Sequence, residues 1–112
     1  MDKIRTLFKL CRTSDVCPEQ PFKTEMNGED LAVFEVDGQY WVTQDDCTHG
    51  PGRLSEGFVE GNEIECPFHQ GRFNILTGEP TSPPCTVPLR TWKTVIQDGK
   101  IFIDSNENGP AL

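Results

Sequence analysis

Histidine is scarce in this chain, with two among 112 residues, so any site built on imidazole must use one or both of them. Other absences narrow the reading further. No run approaches the roughly 20 apolar residues that a membrane-crossing helix needs. Met1-Asp2-Lys3-Ile4-Arg5 lacks the apolar segment of a signal peptide. No Gly-x-Gly-x-x-Gly follows a strand and opens a helix, and the length leaves no room for a flavin or nicotinamide domain. No long segment carries the i, i+3, i+4 apolar spacing of an amphipathic helix, and there is no repeat or low-complexity tract. Basic residues are outnumbered: ten Lys and Arg against eighteen Asp and Glu leave a net charge of −8. That balance argues against nucleic acid or an anionic membrane as partner. Together these features describe a single small acidic domain, residues 1–112, expected in the cytoplasm and as a monomer.

What is present is concentrated between residues 47 and 69. Cys47-Thr48-His49-Gly50 and Cys66-Pro67-Phe68-His69 are two short pairs, each mixing a thiol with an imidazole, and residues 50–65 connect them. In an extended segment side chains two apart share a side, so Cys47 and His49 can aim at one place. In a tight turn residues three apart converge, and Pro67 presets such a turn for Cys66 and His69. Two such loops brought tip to tip offer two sulfur and two nitrogen ligands. A single tetrahedral zinc ion is one occupant, and a diiron cluster with cysteines on one iron and histidines on the other is another. A third alternative is an empty arrangement of buried cysteines and incidental histidines. Zinc sites usually group like with like, and the mixed pairs favour the cluster.

The stretch DDCTHGPGRLSEGFVEGNEIECPFHQGRFNILTG resembles the Rieske [2Fe–2S] family, defined by its His₂/Cys₂ ligation. Within that family it is similar to the soluble ferredoxins of bacterial aromatic-ring-hydroxylating dioxygenase systems, over about residues 30–104. The resemblance implies a Rieske-type [2Fe–2S] cluster held by Cys47, His49, Cys66 and His69. It also implies an all-β Rieske (ISP-like) fold: an antiparallel β-sandwich base with a smaller cluster-binding subdomain at about 45–85. The base would come from 1–44 and 86–104, leaving 105–112 as a tail. High-potential respiratory members carry a disulfide between the loops and Ser and Tyr hydroxyls that donate to cluster sulfur. Gly52 and Phe68 stand at the disulfide positions here, and Gly71 and Phe73 at the hydroxyl positions. The expected potential is therefore near the low end of the Rieske range, roughly −150 mV.

Taken in order, strands are expected at Leu7 to Arg12, Phe22 to Met26, Leu31 to Val36, Tyr40 to Thr43, Phe58 to Glu60 and Glu63 to Glu65. Others are expected at Arg72 to Ile75, Val87 to Leu89, Trp92 to Gln97 and Lys100 to Asp104. Asp37-Gly38 marks the clearest hairpin. Trp41 is expected in the core. Thr81-Ser82-Pro83-Pro84 is too rich in proline for a sheet interior. By resemblance it forms a loop walling the cluster. Gly50, Gly52 and Gly71 are turn residues that also let backbone N–H groups approach the cluster. Arg53 and Arg72 fit either a solvated surface or a role in docking or charge balance. The cysteine count is odd. Cys11, Cys17 and Cys85 read as reduced thiols, with Cys11 packed in the base. Cys85 comes near the cluster only if the preceding loop folds over, and it is not read as a ligand.

The functional expectation is a one-electron carrier rather than an enzyme. It would take electrons from a flavin-dependent, NAD(P)H-linked ferredoxin reductase and deliver them to a terminal Rieske oxygenase. Exit would run through His49 and His69, with Phe68, Pro51 and Pro83 as an apolar docking patch. A catalytic oxygenase would need a further iron on two histidines and a carboxylate, and both histidines are already used. The small Rieske subunit of a nitrite reductase is the alternative within the family. A zinc-stabilised binding module is the alternative outside it.

Overall fold

The computed structural model describes residues 7–48, 50–67 and 70–104. Alternating side chains and positive-φ turns build the fold almost wholly from antiparallel strands. They are β1 (Leu7–Arg12), β2 (Phe22–Met26), β3 (Glu29–Val36), β4 (Gln39–Gln44), β5 (Phe58–Glu60) and β6 (Glu63–Glu65). After them come β7 (Arg72–Asn74), β8 (Pro80–Ser82), β9 (Thr91–Trp92), β10 (Thr94–Gln97) and β11 (Lys100–Asp104). Short 3₁₀ turns occupy Thr13–Asp15 and Leu54–Glu56. Three sheets result, ordered β1-β11-β10, β2-β3-β4-β9 and β5-β6-β7-β8. The β3–β4 hairpin turns at Asp37-Gly38 with φ of 54° and 77°. Positive φ at both central residues is the type I′ geometry that matches the right-handed twist of the strands.

The second sheet is the common wall. Along β3 successive side chains face opposite ways. Leu31 and Val33 enter a core with Cys11, Val42, Trp92 and Ile103. Ala32, Phe34 and Val36 enter another, with Leu54, Ile64 and Phe73. Burying each large side chain contributes about 1.5–3 kcal/mol, so both faces of β3 are committed. The Thr94 hydroxyl donates to the Tyr40 carbonyl at 2.9 Å and links the first sheet to the second.

Three expectations are corrected. Val87 to Leu89 is not a strand: the Leu89 side chain is fully buried and its N–H donates to the Gly78 carbonyl at 2.8 Å, outside any ladder. The run expected over Trp92 to Gln97 breaks at Lys93, because β9 pairs with β4 whereas β10 pairs with β11. The proline-rich stretch begins as a strand, with β8 on the outer edge of β7, where a proline costs no ladder bond. A cis peptide at Pro83-Pro84 follows.

Candidate metal centre

Both thiol-bearing loops leave strand ends and are closed by the same device. The Cys47 N–H donates to the Gly52 carbonyl at 3.0 Å, and the Cys66 N–H donates to the Gly71 carbonyl at 2.8 Å. In each loop the acceptor lies five residues on, at a glycine. Gly52 has φ of 139°, a left-handed conformation that favours glycine. In the second loop Gln70 takes φ of 59° and its N–H donates to the Cys66 carbonyl at 3.2 Å. The two sulfurs are sheltered: Cys47 is 6% exposed and Cys66 0%.

A polar brace beneath the first loop holds Cys47 in place. Asp45 is fully buried, and its carboxylate accepts from the Ser55 N–H at 2.8 Å and the Ser55 hydroxyl at 3.1 Å. Its backbone carbonyl accepts from the Leu54 N–H at 2.7 Å. Burial raises the Asp45 pKa, opposed by the two Ser55 hydrogen bonds and by Arg53. Arg53 bonds Asp30 at 2.7 Å and lies 3.9 Å from Asp45, clamping the loop to β3. Arg72 serves the second loop similarly, bonding Glu60, Glu63 and Glu65 at 2.5, 3.4 and 3.1 Å. Of the two readings open for these arginines, charge balance within the hairpins is the one with partners.

The segment after β8 folds across both loops. Cys85 is buried, with its backbone N–H donating to the Ser82 carbonyl at 3.2 Å. The Thr48 hydroxyl donates to the Val87 carbonyl at 2.6 Å, tying the first loop to this third segment. Gly71 is packed so closely that an added methyl would collide with Cys85 Sγ and lie 3.3 Å from Pro84 Cδ. Burial pushes the Cys85 thiol up to about 12, with the charge of Cys47, a hydrogen bond to Cys47 and then Cys66 adding to it. Pro51 and Pro83 are exposed on the flanks of the site.

Cys47 and Cys66 thus lie on neighbouring, matched loops. His49, His69 and Phe68 lie outside the described residues. Asp45, Ser55 and Thr48 are the functional supports that sequence reasoning missed, and nothing local distinguishes Asp45 from the chain's other acidic residues. Cys11 packs in the first core as expected, where burial and then Asp15 raise its pKa to about 11. Cys17 is exposed, and no disulfide joins any of the five cysteines. Trp41 is partly buried against the second core. Among the described residues no helix is long and apolar enough to cross a membrane.

The donor chemistry fits a [2Fe–2S] group on two counts. Two buried sulfurs sit on loops of like construction, and no disulfide consumes them. Comparison with known proteins agrees. The family model for the Rieske [2Fe-2S] domain matches residues 6–93. Ferredoxin CarAc of Metapseudomonas resinovorans is 44% identical over 97 residues, covering 86% of this chain and 91% of its own. The Sphingomonas yanoikuyae B1 ferredoxin superposes with a TM-score of 0.87 at 38% identity, covering 90% of this chain and 100% of that one. The ferredoxin in a complex of reduced oxygenase and oxidized ferredoxin in carbazole 1,9a-dioxygenase gives 0.84 at 41% identity, with 91% and 95% covered. Matched loops, sheltered thiols and a family model spanning most of the sequence converge on one assignment: this chain belongs to the Rieske [2Fe–2S] family.

Proposed function

We propose that this protein is the ferredoxin component of a multicomponent aromatic-ring-hydroxylating dioxygenase, passing single electrons from an NAD(P)H-linked flavin reductase to a terminal oxygenase. Cys47 and Cys66 would hold one iron through thiolate sulfur, and His49 and His69 the other through imidazole nitrogen. When bound, the cluster supplies a one-electron couple whose potential is raised relative to an all-cysteine cluster by two neutral ligands. The observation that carries the reading is the pair of equivalent closures, Cys47 to Gly52 and Cys66 to Gly71, which present two buried sulfurs from adjacent loops.

The chain's own contribution is positional. The Asp45–Ser55 brace and the Arg53–Asp30 clamp tie the first loop to its own return segment and to β3, which fixes the direction from which Cys47 is presented. Apolar packing around Cys66 excludes water from the sulfur side, which limits both hydrolysis and solvent reorganisation. Exposed Pro51 and Pro83 offer the partner an apolar edge at the site, and the net charge of −8 suits partners with basic docking patches. Five cysteines without a disulfide support a reducing cytoplasmic setting.

The test is direct. Anaerobically purified protein is expected to carry acid-labile sulfide and, once reduced, the low-average-g electron paramagnetic resonance signal of a His₂/Cys₂ cluster. It should then support oxygenase turnover when mixed with a purified dioxygenase and its reductase. Colourless protein containing zinc would overturn the assignment.

A further inference from the structure

Strand β9 stays on β4 while β10 crosses to β11, so the first and second sheets diverge at Lys93. A groove of about 490 Å³ opens at that fork. Residues of both cores reach it, Trp92 from the first and Ile75 from the second. Tyr40, Trp41 and Trp92 give its walls aromatic surface, and Leu76 and Ile96 add aliphatic carbon. Ile96 is 45% exposed, an apolar strand residue left facing solvent beside the groove.

A mostly apolar hollow of this volume suits a small molecule, provided a few polar groups orient it. Two polar groups are to hand. Lys93 stands at the fork, is the one charged residue of the lining, and makes no ion pair or hydrogen bond among the described residues. The nearest other cation along the chain, Arg90, is engaged by Glu29 and by the Trp92 ring. Trp41 adds an indole N–H that is buried without an acceptor among the described residues. Such donors are uncommon in folded proteins and favour a ligand that brings an oxygen within reach. Twelve residues line the groove, fewer than the roughly 20–30 that each side of a stable protein interface contributes. A small occupant therefore fits better than a protein.

We propose that this groove binds a small aromatic anion, a carboxylate on a flat mono- or bicyclic ring. The ring lies against Tyr40, Trp41 and Ile96, and the carboxylate pairs with the Lys93 ammonium. Stacked rings gain more than the area they bury, which favours an aromatic ligand over an aliphatic one. No acidic residue of the lining competes for Lys93 or repels the carboxylate. None of the lining residues is a cysteine or histidine, so the site stands apart from the metal centre and does not rest on it.

The experiment is isothermal titration calorimetry of the intact, cluster-loaded protein with 2-naphthoate, with neutral 2-naphthamide and ring-free acetate as controls. One saturable site per chain is expected for 2-naphthoate, with a dissociation constant of about 1 mM or tighter. Acetate should not bind. Lys93→Gln should weaken 2-naphthoate about two- to fivefold, the range of an exposed ion pair, and leave 2-naphthamide unchanged. Ile96→Glu sets a like charge beside the ligand and should weaken 2-naphthoate further. Both substitutions are at exposed residues, and unchanged far-ultraviolet circular dichroism and visible spectra would show the fold and cluster intact. Saturable binding that neither variant weakens puts the ligand elsewhere and overturns the proposal. So does a lack of saturation up to about 10 mM. Equal weakening of 2-naphthoate and 2-naphthamide by Lys93→Gln overturns the choice of an anion. A wild-type dimer that Ile96→Glu converts to monomer gives the groove to a second copy of the chain and likewise overturns it.

Discussion

Replacing Gly71 by alanine measures how tightly the third segment closes on the second loop. The new methyl would sit well under 3 Å from Cys85 Sγ and 3.3 Å from Pro84 Cδ. Non-bonded contacts settle near 3.5–4.0 Å, so the segment carrying Cys85 must retreat by roughly 1 Å or the thiol must leave its rotamer. Overpacking of this kind costs about 1–3 kcal/mol. At the midpoint of that range, about 2 kcal/mol, the melting temperature of a domain this size falls by roughly 8 °C. The obstacle is one atom of one side chain, which makes the effect separable. Trimming Cys85 to alanine removes Sγ and leaves only Cys85 Cβ at 3.4 Å and Pro84 Cδ at 3.3 Å from the added methyl. The double variant Gly71→Ala/Cys85→Ala is therefore expected to be more stable than the two single losses add up to, with a coupling of about 1 kcal/mol or more. The assay is denaturant unfolding of all four holoproteins, followed by visible absorbance of the cluster and far-ultraviolet circular dichroism. Additivity within about 0.5 kcal/mol would refute the reasoning, because it would mean that Cys85 Sγ does not fill the space beside Gly71.

Other outcomes follow from the same packing. Asp45→Ala leaves the Ser55 N–H and hydroxyl without their acceptor in a buried setting. It is expected to cost about 2–4 kcal/mol in denaturant unfolding, and a loss below about 0.5 kcal/mol would show that the brace does not bear on the fold. The Cys11 thiol, pushed up to about 11 from 9.0, stays protonated in the fold after the unfolded chain has ionised. Its contribution is therefore complete below about pH 9 and lost as the pH climbs to about 11, roughly 2–3 kcal/mol in all. Alkaline unfolding curves of Cys11→Ala should lack that slope. Arg72→Ala leaves Glu60, Glu63 and Glu65 facing one another, so it is expected to destabilise most at low ionic strength and least in high salt. His69→Cys, if it retains a cluster, is expected to have a lower reduction potential than the wild type, and an unchanged titration would remove His69 from the ligand set.

Much of the fold was legible because turn chemistry punctuates it. Asp37-Gly38, Gly61-Asn62 and Asp98-Gly99 each separate runs of alternating residues, and β5, β6 and β11 begin and end where those signals put them. Val87 to Leu89 misled because apolar content alone cannot distinguish a strand from a loop whose leucine is anchored beneath another turn. Trp92 to Gln97 reads as one strand, but the chain changes sheet at Lys93, and sheet membership is set by partners distant in sequence. The Cys47 and Cys66 loops were visible from residue type and spacing. The position of Cys85 was not, because it depends on β8 pairing at the edge of β7 and returning the chain over Gly71. Asp45 was equally silent: its partner Ser55 is brought back only when the first loop closes.

The double-sided burial of β3 means that the redox end of the molecule cannot be detached from its foundation. A cavity cut at Leu31 or Val33 is made on the opposite side of the same backbone that carries Ala32 and Phe34, and Asp30, which accepts from Arg53, directly precedes Leu31. Peptides spanning the two loops should therefore assemble iron and sulfide poorly. Damage at the far pole should register first as bleaching of the visible chromophore.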